Sequence, residues 1–302
     1  MNRDLTQGPV TKSMLLFALP MILGNLLQQF YNVADTLIVG QFLGSTALAA
    51  VGSSYTLMTF LTSILLGMCM GSGAVFSIRF GEGDLPRLKN SLSLSFLLIG
   101  GFTVALNVAV FLLIDPMMAL LQVPADVIPL MRSYLWVIFW GIGGTFLYNY
   151  FASLLRAVGN SATPLVFLGV SAVLNIVLDL VFVVAVPWGV AGAAFATSFS
   201  QWVSGVGLLV YTWKRMAHLR PSRRDVYWKR DRVGEIARFS LLTCVQQSVM
   251  NFGILMVQGL VNSFGTVVMA AFAAAVKIDS FAYMPVQDFG NAFSTFIAQN
   301  YG

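Results

Sequence analysis

Eight apolar runs, each about 20 residues or longer, restrict most strongly what this 302-residue chain can become. A run of that length crosses the hydrocarbon core of a bilayer as a helix. Inside lipid every backbone N–H and C=O must be satisfied internally, so a helix is the form open to such a run. The runs fall at roughly 13–39, 47–78, 92–114, 131–155, 163–186, 191–213, 239–262 and 268–298. Only 10% of the residues are charged and mean hydropathy is +0.81, whereas a soluble domain is about a quarter charged. The chain therefore reads as an all-α integral membrane protein. Its first run is too long for a signal-peptide core and reads as an uncleaved first span.

The same inventory argues against several function classes. A single histidine, His218, leaves nothing for His-based catalysis or metal binding, and it reads as a solvated loop residue. No HExxH, GxSxG or His/Cys cluster is present, so an intramembrane enzyme lacks its constellation. Cys69 and Cys244 both lie in apolar runs and give no disulfide framework. No cofactor or metal is expected.

Lys and Arg collect on alternate connections. Arg3 and Lys12 precede span one, Arg79, Arg87 and Lys89 follow span two, and Arg156 follows span four. Nine of the seventeen basic residues lie in 214–238. The intervening loops 40–46, 115–130 and 187–190 have none, although Arg132 lies just inside span four. By the positive-inside rule the N-terminus and 214–238 are cytoplasmic, in a multi-pass protein of the cell membrane. The basic segment reads as a topology anchor and linker against anionic lipid rather than as a nucleic-acid site. Trp188, Trp213 and Trp228 fall near span ends, where an aromatic belt sits.

Polar residues inside the spans carry the functional signal. Span one holds Asn25, Gln28, Asn32 and Asp35 at intervals of three, four and three, which a helix places on one face. Pro20 removes a backbone hydrogen bond in the same span and marks a hinge. In span five Ser171, Asn175 and Asp179 recur every four residues, and span six offers Thr197 and Gln201 at the same spacing. Span four carries Tyr134, Asn149 and Arg156. If Asp35 and Asp179 meet in one cavity, two carboxylates in low dielectric cannot both stay ionised easily, which suits a group that takes and releases a proton. The competing reading locks each acid in a static network that holds the bundle together, but intramembrane acids are usually functional. Lys277, Asp279 and Asp288 lie in span eight. Lys277 and Asp288 either line a cavity or find partners on spans this chain lacks. The glycines of GMCMGSG (Gly67, Gly71 and Gly73) read as close helix packing, and no phosphate-binding loop accompanies them. Gly159, Asn160 and Pro164 mark a turn.

The opening of the chain returns after the basic segment. Phe239 to Val261 follows Phe17 to Val39 by 222 residues, with Phe17/Phe239, Leu19/Leu241, Phe30/Phe252 and Val39/Val261 identical. After a slip of one residue, Gly44, Ala49, Ala50, Phe60 and Gly81 match Gly265, Ala270, Ala271, Phe281 and Gly302. Six spans per unit make both copies enter from the same side, a parallel repeat about an axis along the membrane normal. The domains expected are a six-helix N-lobe over 1–213, a basic cytoplasmic linker over 214–238, and the first two helices of a C-lobe over 239–302. The second unit is expected to continue past Gly302, and residues 1–302 alone are not expected to transport.

LRAVGNSATP (155–164 with Leu154), NIVLD (175–179), GVAGAAFATSFSQ (189–201) and the opening FALPMILGN…YNVADTLIVGQFLG resemble multidrug and toxic compound extrusion (MATE) transporters along the whole chain. The resemblance implies two six-helix lobes around a central cavity, and export of cationic or amphiphilic small molecules against protons or sodium. It places the N-lobe coupling site on Asp35, Asn175, Asp179 and Thr197, with Tyr134 and Asn149 nearby. Asn25, Gln28, Asn32, Lys277 and Asp288 are the further cavity-lining candidates. Members with sodium coupling carry a glutamate in span seven where Met250 stands here, which favours N-lobe coupling to protons. The implied partners are the small-molecule substrate and membrane lipid, with no nucleic acid, and the complete protein is expected to be a monomer. The alternative within this fold is a lipid-linked-oligosaccharide or lipid flippase, which would favour a more cationic cavity.

The charge pattern makes a topology prediction. In a background lacking Cys69 and Cys244, Arg220→Cys should react with an impermeant maleimide from the cytoplasmic side and Ala125→Cys from the outside. The reverse labelling would invert the orientation.

Overall fold

The computed structural model describes residues 5–222 and 225–302. Arg3, Arg223 and Arg224 lie outside the described residues, as do the side chains of Lys277, Ser280, Phe281 and Met284. The helices are α1 (Val10–Leu43), α2 (Ser45–Gly81), α3 (Leu85–Leu112), α4 (Ile114–Leu120), α5 (Ile128–Ile138), α6 (Ile142–Ala157), α7 (Ala162–Asp179), α8 (Val190–Arg215), α9 (Arg230–Asn262) and α10 (Thr266–Tyr301). Among the described residues seven stretches are long and apolar enough to span a bilayer, with α5 and α6 counted together. The eighth expected span is α10, a helix of 36 residues interrupted in apolarity by its charged positions.

Several boundaries differ from expectation for local reasons. Span four is not one straight helix, because a 3₁₀ turn at Phe139–Gly141 joins α5 to α6. Trp202 of α8 crowds Gly143 and Gly144 just beyond that turn, leaving no room for a Cβ. Span five ends in a π-helical turn, Leu180–Ala185, directly after Asp179. The basic segment is only partly loop, since α9 starts at Arg230. It is also tied down: Asn90 donates to the carbonyls of Asp225 and Tyr227 at 2.7 and 2.9 Å, and Arg232 donates to Asn90 at 3.0 Å. Hydrogen bonds from the Ser222 backbone N–H and then its hydroxyl, at 2.6 and 2.7 Å, hold the Asp225 carboxyl below the usual aspartate range. His218 is exposed in a 3₁₀ turn.

α2 is the spine of the assembly. α9 and α10 both meet it towards each of its ends. Gly67 faces the backbone at Cys244, Gly71 that at Phe239 and Ser240, while Gly73 of the same run faces Ser153 of α6. Close approach explains all three glycines. At one end of the α2–α9 seam, Ser53, Thr56, Gln258 and Asn262 form a buried cluster. Thr56 donates to Gln258 at 3.1 Å, Gln258 to Asn262 at 2.7 Å, and Asn262 to the Leu121 carbonyl at 2.7 Å. At the other end Ser72 and Ser240 share a 3.0 Å hydrogen bond, and Arg79 pairs with Glu235 at 2.6 Å.

The repeat is visible in the backbone. Gly44 and Gly265 precede α2 and α10 with φ/ψ of 88/179° and 92/173°, a region essentially reserved for glycine. Gly52 meets Ala273, its own counterpart, so the relating axis passes between them. Further along, Gly81 lies against Gln299 and Gly302 against Ile78, a reciprocal pair of contacts between matched positions.

Gly71→Ala tests the spine. Its Cβ would collide with the Phe239 backbone, whereas a Cβ at Gly101 meets nothing within 4 Å. Overpacking of this kind costs about 1–3 kcal/mol. Gly71→Ala should lower the melting temperature of the detergent-solubilised protein by several degrees, and Gly101→Ala should leave it within a degree.

Candidate functional site

Three helices of the first six spans bring polar groups together near the C-terminal ends of α1 and α7 and the N-terminal part of α8. α1 places Asp35 there, 7% exposed. α7 contributes Asn175 and Asp179 at 1% and 0%, and α8 contributes the half-buried Thr197. Asn175 Nδ2 donates to Thr197 Oγ1 at 3.2 Å, and one turn earlier Ser171 donates to the Ser200 carbonyl at 2.9 Å. These bonds align the polar faces of α7 and α8. Asn175 Oδ1 is buried and accepts no hydrogen bond among the described residues. Tyr134 of α5, also buried, lies within electrostatic range of both Asp35 and Asp179. The two acids thus act on one phenol, although they come from helices far apart in sequence.

Two residues of this region were not singled out from sequence. Tyr31 is 4% exposed, accepts a 3.2 Å hydrogen bond from Gln201, and interacts with Gln28 and Asp35. It stands four residues before Asp35, on the same face, so its spacing was a usable signal that its aromatic character masked. Gln29 is 1% exposed and hydrogen-bonds Tyr55 of α2. The other stripe residues separate. Asn32 is half-buried, and its carbonyl accepts from Thr36 at 2.7 Å. Asn149 donates to the Thr145 carbonyl of its own helix at 2.9 Å. α1 runs unbroken through Pro20. α10 also contains an interior proline, Pro285.

A second polar group lies between α1 and α10. Asn25 donates a short hydrogen bond to Asp288 Oδ1, and Asp288 is 2% exposed. Of the two readings left open for Asp288, a partner on further spans is not needed, because Asn25 of α1 already bonds it. Arg156, which the sequence places at the end of span four, lies in the last turn of α6 and is half-buried. It lies within electrostatic range of Asp288 and Tyr148. Beside this group Phe17 and Met21 of α1 pack with Ala292 and Phe296 of α10. Asp279 is exposed on α10, and Lys277 lies outside the described side chains. Met250 is 38% exposed on α9 and its sulfur accepts from the Tyr283 hydroxyl at 3.2 Å.

The site's geometry makes a stability prediction. Thr197→Val removes the acceptor of a buried amide, a loss that costs about 1–3 kcal/mol. Thermal unfolding should show that decrease, while Thr197→Ser should retain wild-type stability to within about 1 kcal/mol.

Comparison with known proteins follows the same lines. The family model MatE matches residues 20–181. The "Probable multidrug resistance protein YpnP" of Bacillus subtilis (strain 168) is 32% identical over 299 residues, which are 99% of this chain and 67% of that protein. The FAD transporter of Shewanella oneidensis (strain MR-1) is 25% identical over 313 residues, 100% of this chain and 67% of that one. A solved outward-facing structure of a multidrug resistance MATE family transporter of the MOP superfamily superposes with a TM-score of 0.89 at 23% identity, over 99% of this chain and 66% of that one. That likeness shows the fold. The chain spans about two thirds of the length of the relatives it matches. With a model matched over more than half its length and a relative 32% identical across nearly all of it, the chain belongs to the MatE family.

Proposed function

We propose that the complete protein is a secondary antiporter of the cell membrane that exports cationic or amphiphilic small molecules in exchange for protons. Asp35 and Asp179 are its coupling acids. The observation that carries this reading is two buried carboxylates on separate helices acting on one phenol, Tyr134. Ionised, they attract a cation. A proton on the pair removes that attraction, so substrate and proton exclude each other, which is what antiport requires. Asn175 and Thr197 supply neutral polar groups beside the acids, and a bend of α1 at Pro20 would let the cavity contract on protonation. All of these donors are oxygens or an amide, so sodium is the competing coupling ion.

The Shewanella relative is named for FAD, an anion at neutral pH. An anion placed beside two carboxylates brings like charges together, so cations suit this interior better. Topology completes the proposal: the N-terminus and the 214–238 segment face the cytoplasm, where substrate is collected.

Ethidium efflux in everted vesicles tests it, with the full-length chain. Asp35→Asn and Asp179→Asn should each reduce pH-gradient-driven efflux to the level of empty vesicles while leaving membrane insertion intact. Ethidium binding to the wild type should weaken as pH falls, and that dependence should flatten in both variants. Efflux driven by a sodium gradient alone would replace the proton in the scheme. Wild-type efflux in both variants would rule out coupling at these acids.

A further inference from the structure

Outside the candidate site, an exposed side of α7 and α8 carries a groove of about 700 Å³. Its walls are Phe167, Trp202, Val206 and Val210, and it ends at Lys214 and Arg215 in the last turn of α8. No acidic residue lines it. Neither cation forms an ion pair among the described residues.

The groove has a built shape. Gly207 lacks the Cβ that would stand 2.6 Å from the Phe167 ring, so the Cδ1–Cε1 edge of that ring sits directly against α8. Tyr211 meets Phe167 edge to face at a centroid distance of 6.0 Å. At the far end the Trp202 indole donates to the Trp140 carbonyl at 2.8 Å, which fixes the ring over Gly143. From Trp202 to Arg215 the helix rises about 20 Å, about two thirds of a hydrocarbon core of about 30 Å and enough to cross one leaflet. An apolar trough one leaflet deep with two cations at its mouth complements a lipid with a negatively charged head. The simpler alternative is that Lys214 and Arg215 merely anchor the helix end at the interface, with ordinary lipid alongside.

We propose that this groove binds one anionic phospholipid of the adjacent leaflet, an acyl chain lying along Phe167, Trp202 and Val206 and the phosphate held by Lys214 and Arg215. The volume lies within the range of dedicated small-molecule sites, and the inference does not depend on the transport reading or on orientation.

Tryptophan quenching in symmetric vesicles tests it. The full chain is reconstituted in phosphatidylcholine containing a minor fraction of phosphatidylglycerol, with dibrominated chains on one lipid or the other. The difference between the native protein and Trp202→Phe isolates the Trp202 signal. Brominated phosphatidylglycerol should quench that signal at a several-fold lower mole fraction than brominated phosphatidylcholine. Lys214→Gln with Arg215→Gln should abolish the preference without changing ethidium efflux. Equal quenching by the two lipids in the native protein would reduce the groove to an ordinary lipid-facing surface and overturn the proposal. A preference that survives both substitutions would overturn it too. Quenching by neither lipid would mean that protein, such as a second copy of the chain, covers the groove, and would equally overturn it.

Discussion

Close backbone approach along α2 is the constraint on which the rest of this structure depends. Lipid tails are as apolar as leucine, so helices in a bilayer gain little from hydrophobic burial against one another. Packing contact and interhelical hydrogen bonds must hold them instead. α2 supplies both. Its glycines let α9 and α10 lie directly on its backbone, and its serines and threonines bond across the seam. The polar cluster around Gln258 and Asn262 makes most of its bonds within the interface, so it joins helices without stranding buried polar groups.

The two seams that join α9 and α10 to the earlier helices are related but unequal. Phe239 meets Gly71 on one side, and the matched Phe17 packs with Ala292 on the other. The symmetry breaks where α2 has Gly67 pressed against Cys244, because α10 carries Asp288 at the matched position. There a hydrogen-bonded contact to Asn25 replaces backbone packing. A glycine contact depends on close fit alone. The Asn25–Asp288 contact depends on hydrogen-bond geometry, and Arg156 lies within electrostatic range of it.

The acids of the proposed coupling site are held differently again. Asp35, Asn175 and Asp179 are almost wholly buried, and the groups around them are phenols, amides and hydroxyls from α1, α5, α7 and α8. The π-helical turn after Asp179 is a local departure of the sort that recurs at functional positions. It ends the regular helix directly after the acid. The site and the groove use different residues of α7 and α8, and the α2–α9 seam uses neither helix, so each can be altered by substitution without touching the others.

What the sequence alone determined is what periodicity and composition encode. Apolar length demanded membrane helices. The spacing of three and four put Asn25, Gln28, Asn32 and Asp35 on one face, and Asn175 and Asp179 on another. Matched phenylalanines, alanines and glycines identified the repeat, and the structure shows why two of those glycines recur: Gly44 and Gly265 share a backbone conformation reserved for glycine. What tertiary structure decided is which faces meet. Tyr31, an aromatic inside a polar stripe, became a hydrogen-bond partner only when Gln201 arrived from α8. Asp288 found Asn25 across 263 residues of sequence, and Arg156 turned out to be half-buried beside them. The groove exists only because Gly207 admits a ring from another helix. Spacing along one helix is a local property set by its 3.6-residue turn, but contact between helices depends on side-chain volumes and crossing angles that no single stretch contains.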